Sequence, residues 1–135
     1  MKQKLSRNPP TFIAVLTAFA WNVILLIGVI LNTGFAQTRA AGGQFTDFPV
    51  GIRVIYLLEL AFVAYQVWIF KIIFHSYPVK PKWLPRLFFY IGILAVVVNA
   101  ISRSANERWN VIPAAIITWA FWYFGIKKAD GSVTV

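Results

Sequence analysis

Thr11–Leu31 reads TFIAVLTAFAWNVILLIGVIL, a run without one charged side chain. At a rise of about 1.5 Å per residue, a helix of this length covers roughly 30 Å, the thickness of a bilayer's hydrocarbon core. Three further apolar stretches repeat the pattern at Val54–Phe74, Leu84–Ser102 and Trp109–Gly125. In lipid, backbone polar groups must be satisfied within each segment, so four such stretches imply four helices. The expected fold is all-α: a single four-span domain over residues 1–135, packed as a transmembrane four-helix bundle. That places the chain, as a multi-pass protein, in the plasma (inner) membrane.

Composition agrees. Hydrophobic residues make up 59% of the chain and charged residues 13%, about half the roughly 25% of an ordinary soluble protein. A water-soluble domain so composed would expose large apolar patches. The net charge of +9 invites a nucleic-acid reading, but the placement of the charges opposes it. Lys2, Lys4, Arg7, Lys80, Lys82, Lys127 and Lys128 stand just beyond the ends of apolar spans, where basic side chains meet anionic headgroups. No basic face with interleaved aromatics forms a groove for bases or phosphates. The lipid bilayer is the expected partner and nucleic acid is not.

The absence of cysteine excludes disulfides, thiolate ligands and cysteine nucleophiles, and a lone histidine, His75, excludes a bis-histidine haem within one chain. With four acids in all, neither a metal cage nor a cofactor is expected. Lys2–Arg7 followed by an apolar run resembles a secretory signal, with Gly34-Phe35-Ala36 as a small-residue cleavage site. The run is longer than the 7–15 residues of such a signal, so the first span is expected to stay as an anchor.

The lysines and arginines divide unevenly. Lys2, Lys4, Arg7, Lys71, Lys80, Lys82, Arg86, Lys127 and Lys128 fall on one side; Arg39, Arg53, Arg103 and Arg108 fall on the other. Positive charge is retained inside, which puts both termini in the cytoplasm and favours a single orientation. The first connection, Asn32–Gly51, then lies outside, with Thr33-Gly34, Gly42-Gly43 and Pro49 as loop formers. The second, Ser76–Trp83, carries Pro78 and Pro81. The third, Arg103–Asn110, is short enough to make the last two spans antiparallel neighbours. Trp68, Trp83, Trp122 and Tyr123 gather at the cytoplasmic end and Trp109 at the other, as interfacial anchors do.

Glu59 is the residue in which chemistry is most concentrated, because an acid inside a span costs at least a few kcal/mol and needs a partner or a proton. It lies about 9 Å deeper than Arg53 along a helix. Tyr56 and Gln66, at i−3 and i+7, share its side. These three form either a proton or cation site or a polar stripe that fixes helix packing. The packing role is the more economical.

A second polar concentration runs from Asn99 to Asn110. Asn99, Ser102 and Arg103 share a helical face, and Glu107 pairs with Arg103 if the helix continues that far. Arg103 is then the expected counter-ion of Glu59, with Asn99 beside them in an outward pocket for an anionic or zwitterionic headgroup. The simpler reading is a capped turn in which Ser104 or Asn110 closes a helix end.

The same stretch carries a resemblance. Asn99, Ser102-Arg103-Ser104, Glu107-Arg108, Trp109 and then Pro113 opening the last span resemble a pattern in uncharacterised small four-span bacterial integral membrane proteins. The resemblance covers only Asn99–Pro113 and implies the architecture, not an activity. Where a second aromatic often precedes that proline, this chain has Asn110-Val111-Ile112.

Asn22 and Thr118, near the middle of the first and last spans, are expected to bond across helices. Trp21, Trp119 and Trp122 offer flat surfaces, for a ring-shaped apolar ligand or more simply for lipid. No nucleophile–base arrangement accompanies His75-Ser76, and no phosphate-binding loop or catalytic carboxylate pair is present. The expected function is therefore non-catalytic: an accessory or scaffold subunit acting through helix–helix contacts in a larger membrane complex or homo-oligomer. The alternative is a small oligomeric proton-coupled transporter or channel using Glu59 and Arg103.

Overall fold

A computed structural model describes residues 8–131; Lys2, Lys4 and Arg7 lie outside them. Among the described residues there are helices and loops and no strand. Helix α1 spans Pro9–Ile30, α2 Val50–Phe74, α3 Leu84–Ala100 and α4 Val111–Ala120. The last continues without a break through a π-helical stretch, Phe121–Lys127, into a final turn, Lys128–Gly131. By length and composition, Pro9–Ile30, Val50–Phe74 and Ala105–Gly131 are long and apolar enough to cross a membrane. Helix α3 is apolar but shorter, at 17 residues.

The helix ends follow local chemistry. Asn8 Oδ1 accepts from the Thr11 N–H at 3.5 Å, with prolines in the first turn of α1, where a missing N–H costs nothing. Pro49, in an extended conformation, opens α2, which starts at Val50, four residues before the apolar run. Asn32 and Ser76, both at positive φ (57° and 61°), turn the chain just after α1 and α2. Helix α3 ends at Ala100, and only a single helical turn, Ala105–Arg108, interrupts the connection to α4. Arg103 therefore stands in a loop, not on a helical face with Asn99. Ser104 caps the single turn, its Oγ accepting from the Glu107 N–H at 3.3 Å.

Helix α1 is central and packs along both α2 and α4, while α3 packs along α4. The two apposed surfaces of α3 and α4 approach closely at Gly92, where a Cβ would lie 2.2 Å from Thr118 Oγ1. A second approach is at Gly125, where a Cβ would meet Pro85 Cβ at 2.6 Å. The Thr118 hydroxyl is satisfied within its own helix by the Ala114 carbonyl at 2.7 Å, and not across helices. Phe19, Phe70, Phe88 and Phe121 are the largest side chains in the core, and their offset and edge contacts add to plain burial. Phe88 meets Phe121 at 5.1 Å and also bridges to Phe62 and Tyr65 on α2, at 5.4 and 5.9 Å. Away from that bridge α2 and α3 do not pack along one another.

A smaller cluster of Leu25, Val29, Ala36, Ala40 and Phe48 pins the first connection over the end of α1. Arg53 Nε donates to the Ile30 carbonyl at 2.6 Å, satisfying one of the orphan acceptors at that helix end. Asn32 Oδ1 accepts from the Phe48 N–H at 2.9 Å, and its amide donates to Asp47. Gly42 and Gly43, at φ +70° and +67°, make the reversal that brings the connection back over the bundle, a conformation with a steric cost for any side chain.

Candidate functional site

The gap between α2 and α3 widens, toward the end that carries the first connection, into a cavity of about 360 Å³. Its apolar lining comes from three helices: Leu25 and Leu26 of α1, Val63 of α2, and Ile91, Leu94, Ala95 and Val98 of α3. The same helices supply polar groups, Asn22 from α1, Tyr56 and Glu59 from α2 and Asn99 from α3, and Glu107, Asn110, Arg39 and Ala40 complete the lining. The cavity is open on one side, and its lining is mostly apolar with a few polar groups.

Helix α2 puts Tyr56, Glu59 and Val63 on the cavity because they recur at helical spacing on one face. Gln66, further along the same stripe, is buried below the cavity floor and does not line it. Of the expected site residues, the structure thus brings together Tyr56, Glu59, Asn99 and Glu107. Glu59 remains exposed on the open side of the cleft, and among the described residues it makes no hydrogen bond or ion pair. The Tyr56 hydroxyl lies within electrostatic reach of both Glu59 and Glu107. Asn22 also faces the cavity and has no hydrogen bond to any described residue, contrary to its expected interhelical bond.

Glu107 is held differently from the expected pairing. Because the helix stops at Ala100, Arg103 is not one turn away from it on a common face. Instead the Glu107 carboxylate accepts from the Gly42 N–H at 2.8 Å and from the Ser102 hydroxyl. Arg103 is exposed, does not line the cavity, and forms no ion pair with Glu59 or Glu107 among the described residues. The expected Glu59–Arg103 layer is therefore absent. Asn99 lines the cavity and turns its Nδ2 to the Ala95 carbonyl at 2.8 Å.

Two residues matter more than the sequence suggested. Asn110 is buried; its Oδ1 accepts from Trp21 Nε1 at 2.9 Å and its Nδ2 donates to the Arg39 carbonyl at 3.2 Å. It locks α1, the first connection and the start of α4 together; it stands at the N-cap of α4, but its side chain makes no capping bond there. Trp21 is engaged by that bond and by an edge contact with Phe35 at 5.9 Å, so it is not a free stacking surface. Arg39 borders the cavity through its chain, but its guanidinium lies over the Phe35 ring at 4.4 Å and donates to the Phe35 carbonyl at 3.2 Å. Among the described residues, the ion pair is Arg86–Asp130, at the opposite end.

Among the described residues no three of His, Asp and Glu converge as metal ligands. Comparison with protein-family models, with curated proteins and with solved structures finds no match to this chain.

Proposed function

We propose that the chain is a four-helix bundle spanning the plasma membrane with both ends cytoplasmic, and that it is a non-catalytic accessory or scaffold subunit working through intramembrane contacts. The observation that carries this reading is the one-sided packing of α2. Its core residues, Val63, Ile69, Phe70 and Ile73, sit on one flank, while Val54, Leu57 and Trp68 on the opposite flank are exposed. In water such a flank would drive aggregation; in a bilayer it meets lipid or another helix. Lysines at the end near the termini support the orientation: Lys127 and Lys128 lie over the rings of Trp122, Tyr123 and Phe124 at 4.9–5.6 Å, as interfacial anchors do. A photo-crosslinking residue at Leu57 or Ala61 in living cells is expected to capture one discrete larger membrane protein or a second copy. Crosslinks to lipid alone at both positions remove the scaffold role.

One observation favours the transporter alternative: Glu59 reaches a cavity instead of a helix interface, and intramembrane acids mark ion paths. In that case the purified chain in liposomes conducts protons or a solute, and Glu59→Gln abolishes the flux. Arg103 has no place in such a site; the cavity's rim arginine is Arg39.

A further inference from the structure

We propose that the cleft between α2 and α3 binds an amphipathic organic cation, with a protonated amine at Glu59 and its apolar body along α3. The inference adds a ligand class to the cleft and rests on the membrane-spanning reading of the four helices.

Two carboxylates, Glu59 and Glu107, border the same cavity, and neither has a cationic side chain bonded to it among the described residues. The nearest candidate, Arg39, spends its guanidinium on Phe35. Glu107 is stabilised by the Gly42 N–H and Ser102, whereas Glu59 has no hydrogen-bond donor among the described residues. A carboxylate at membrane depth is not left bare: it takes a proton or a cation.

The remaining polar groups sharpen the choice. The Tyr56 hydroxyl, whose oxygen also takes the Ala41 backbone N–H, and the Asn22 amide, which has no hydrogen bond to any described residue, line the same cavity and add acceptor capacity to it. A primary ammonium has three donors and no acceptor, which matches an acceptor-rich wall; an anion would meet two like charges. A metal ion would need further ligands that do not converge here. Volume and lining set the rest of the molecule. About 360 Å³ is too small for a helix some 10 Å across but sufficient for a headgroup and the first part of a chain. Leu94 and Val98 are exposed along the α3 side of the opening, which gives an alkyl body an apolar path out between the helices.

The test uses the full chain purified in a neutral detergent, with radiolabelled dodecylamine as the probe and dodecanol as its uncharged match. Dodecylamine is expected to saturate at one molecule per chain, and dodecanol to bind at least about tenfold more weakly, since a charge-assisted hydrogen bond is lost. Glu59→Gln is expected to erase the preference for amine over alcohol. Val98→Trp, which fills the opening and leaves Glu59 in place, is expected to block both probes, so the result does not hinge on the folding of one variant. Equal binding of amine and alcohol to the unaltered chain overturns the proposal, as does undiminished amine binding in folded Glu59→Gln. Absence of saturable amine binding to the folded, unaltered chain also overturns it. Failure of the membrane reading shows separately, as a chain that stays monodisperse once detergent is withdrawn.

Discussion

Trp21 and Asn110 are 89 residues apart in sequence and joined side chain to side chain, the indole Nε1 donating to the amide oxygen at 2.9 Å. The same Asn110 amide holds the Arg39 carbonyl, so one buried residue closes a three-way junction at the head of the cleft. Asn110→Ala removes both bonds and leaves the indole N–H and a loop carbonyl without partners. The expected loss is about 1–2 kcal/mol of stability, read as a lowered midpoint of thermal unfolding in detergent. Trp21→Phe should lose part of that amount, and the double variant less than the sum of the two.

Gly92 allows α3 and α4 to touch. A methyl group there would lie 2.2 Å from Thr118 Oγ1 and 3.0 Å from its Cβ. Gly92→Ala is expected to force the two helices apart and cost about 1–3 kcal/mol. Removing the obstacle in Gly92→Ala/Thr118→Ala should recover part of the loss. Unfolding midpoints of the two single variants and the double variant measure this directly.

Glu107 tethers the first connection through the Gly42 N–H. Glu107→Ala should free that segment while leaving the helices in place. Losing a charge-assisted bond of about 1.5–3 kcal/mol raises the open population, so trypsin should cut after Arg39 about tenfold faster or more. Helical content by circular dichroism should stay unchanged.

Arg86 and Asp130 form an ion pair at 3.4 Å with side chains 56% and 63% exposed. Such a pair contributes little. Arg86→Ala should shift stability by less than about 0.5 kcal/mol, in contrast to Asn110→Ala under identical conditions.

The chain has no cysteine, so single substitutions report orientation without background. Under the proposed orientation, Gln44→Cys in the first connection should react with an impermeant maleimide on intact cells. His75→Cys, at the other end of α2, should react only after permeabilisation. The reverse pattern inverts the bundle.

The helices were legible because long apolar runs leave lipid-compatible chain few other options. Their ends were less so: Pro49 opened α2 earlier than the apolar run implied, and α3 stopped at Ala100, which moved Arg103 off the face it was expected to share with Asn99. Tyr56 and Glu59 were readable as a pair because both lie on one helix at a spacing of three. Asn110 and Arg39 were not. Their roles arise where a loop turned by Gly42 and Gly43 folds back over distant helices, and no periodicity links positions 71 residues apart.

Helices α2 and α3 meet around Phe88, at 5.4 and 5.9 Å from Phe62 and Tyr65, and diverge beyond it. In the proposed membrane-spanning arrangement the seam behaves like a clothes-peg sprung at one end, with its jaws facing sideways into the oil. Anything reaching Glu59 through those jaws would then arrive by lateral diffusion within a leaflet. Its supply would follow how strongly it partitions into the membrane, not its concentration in the surrounding water.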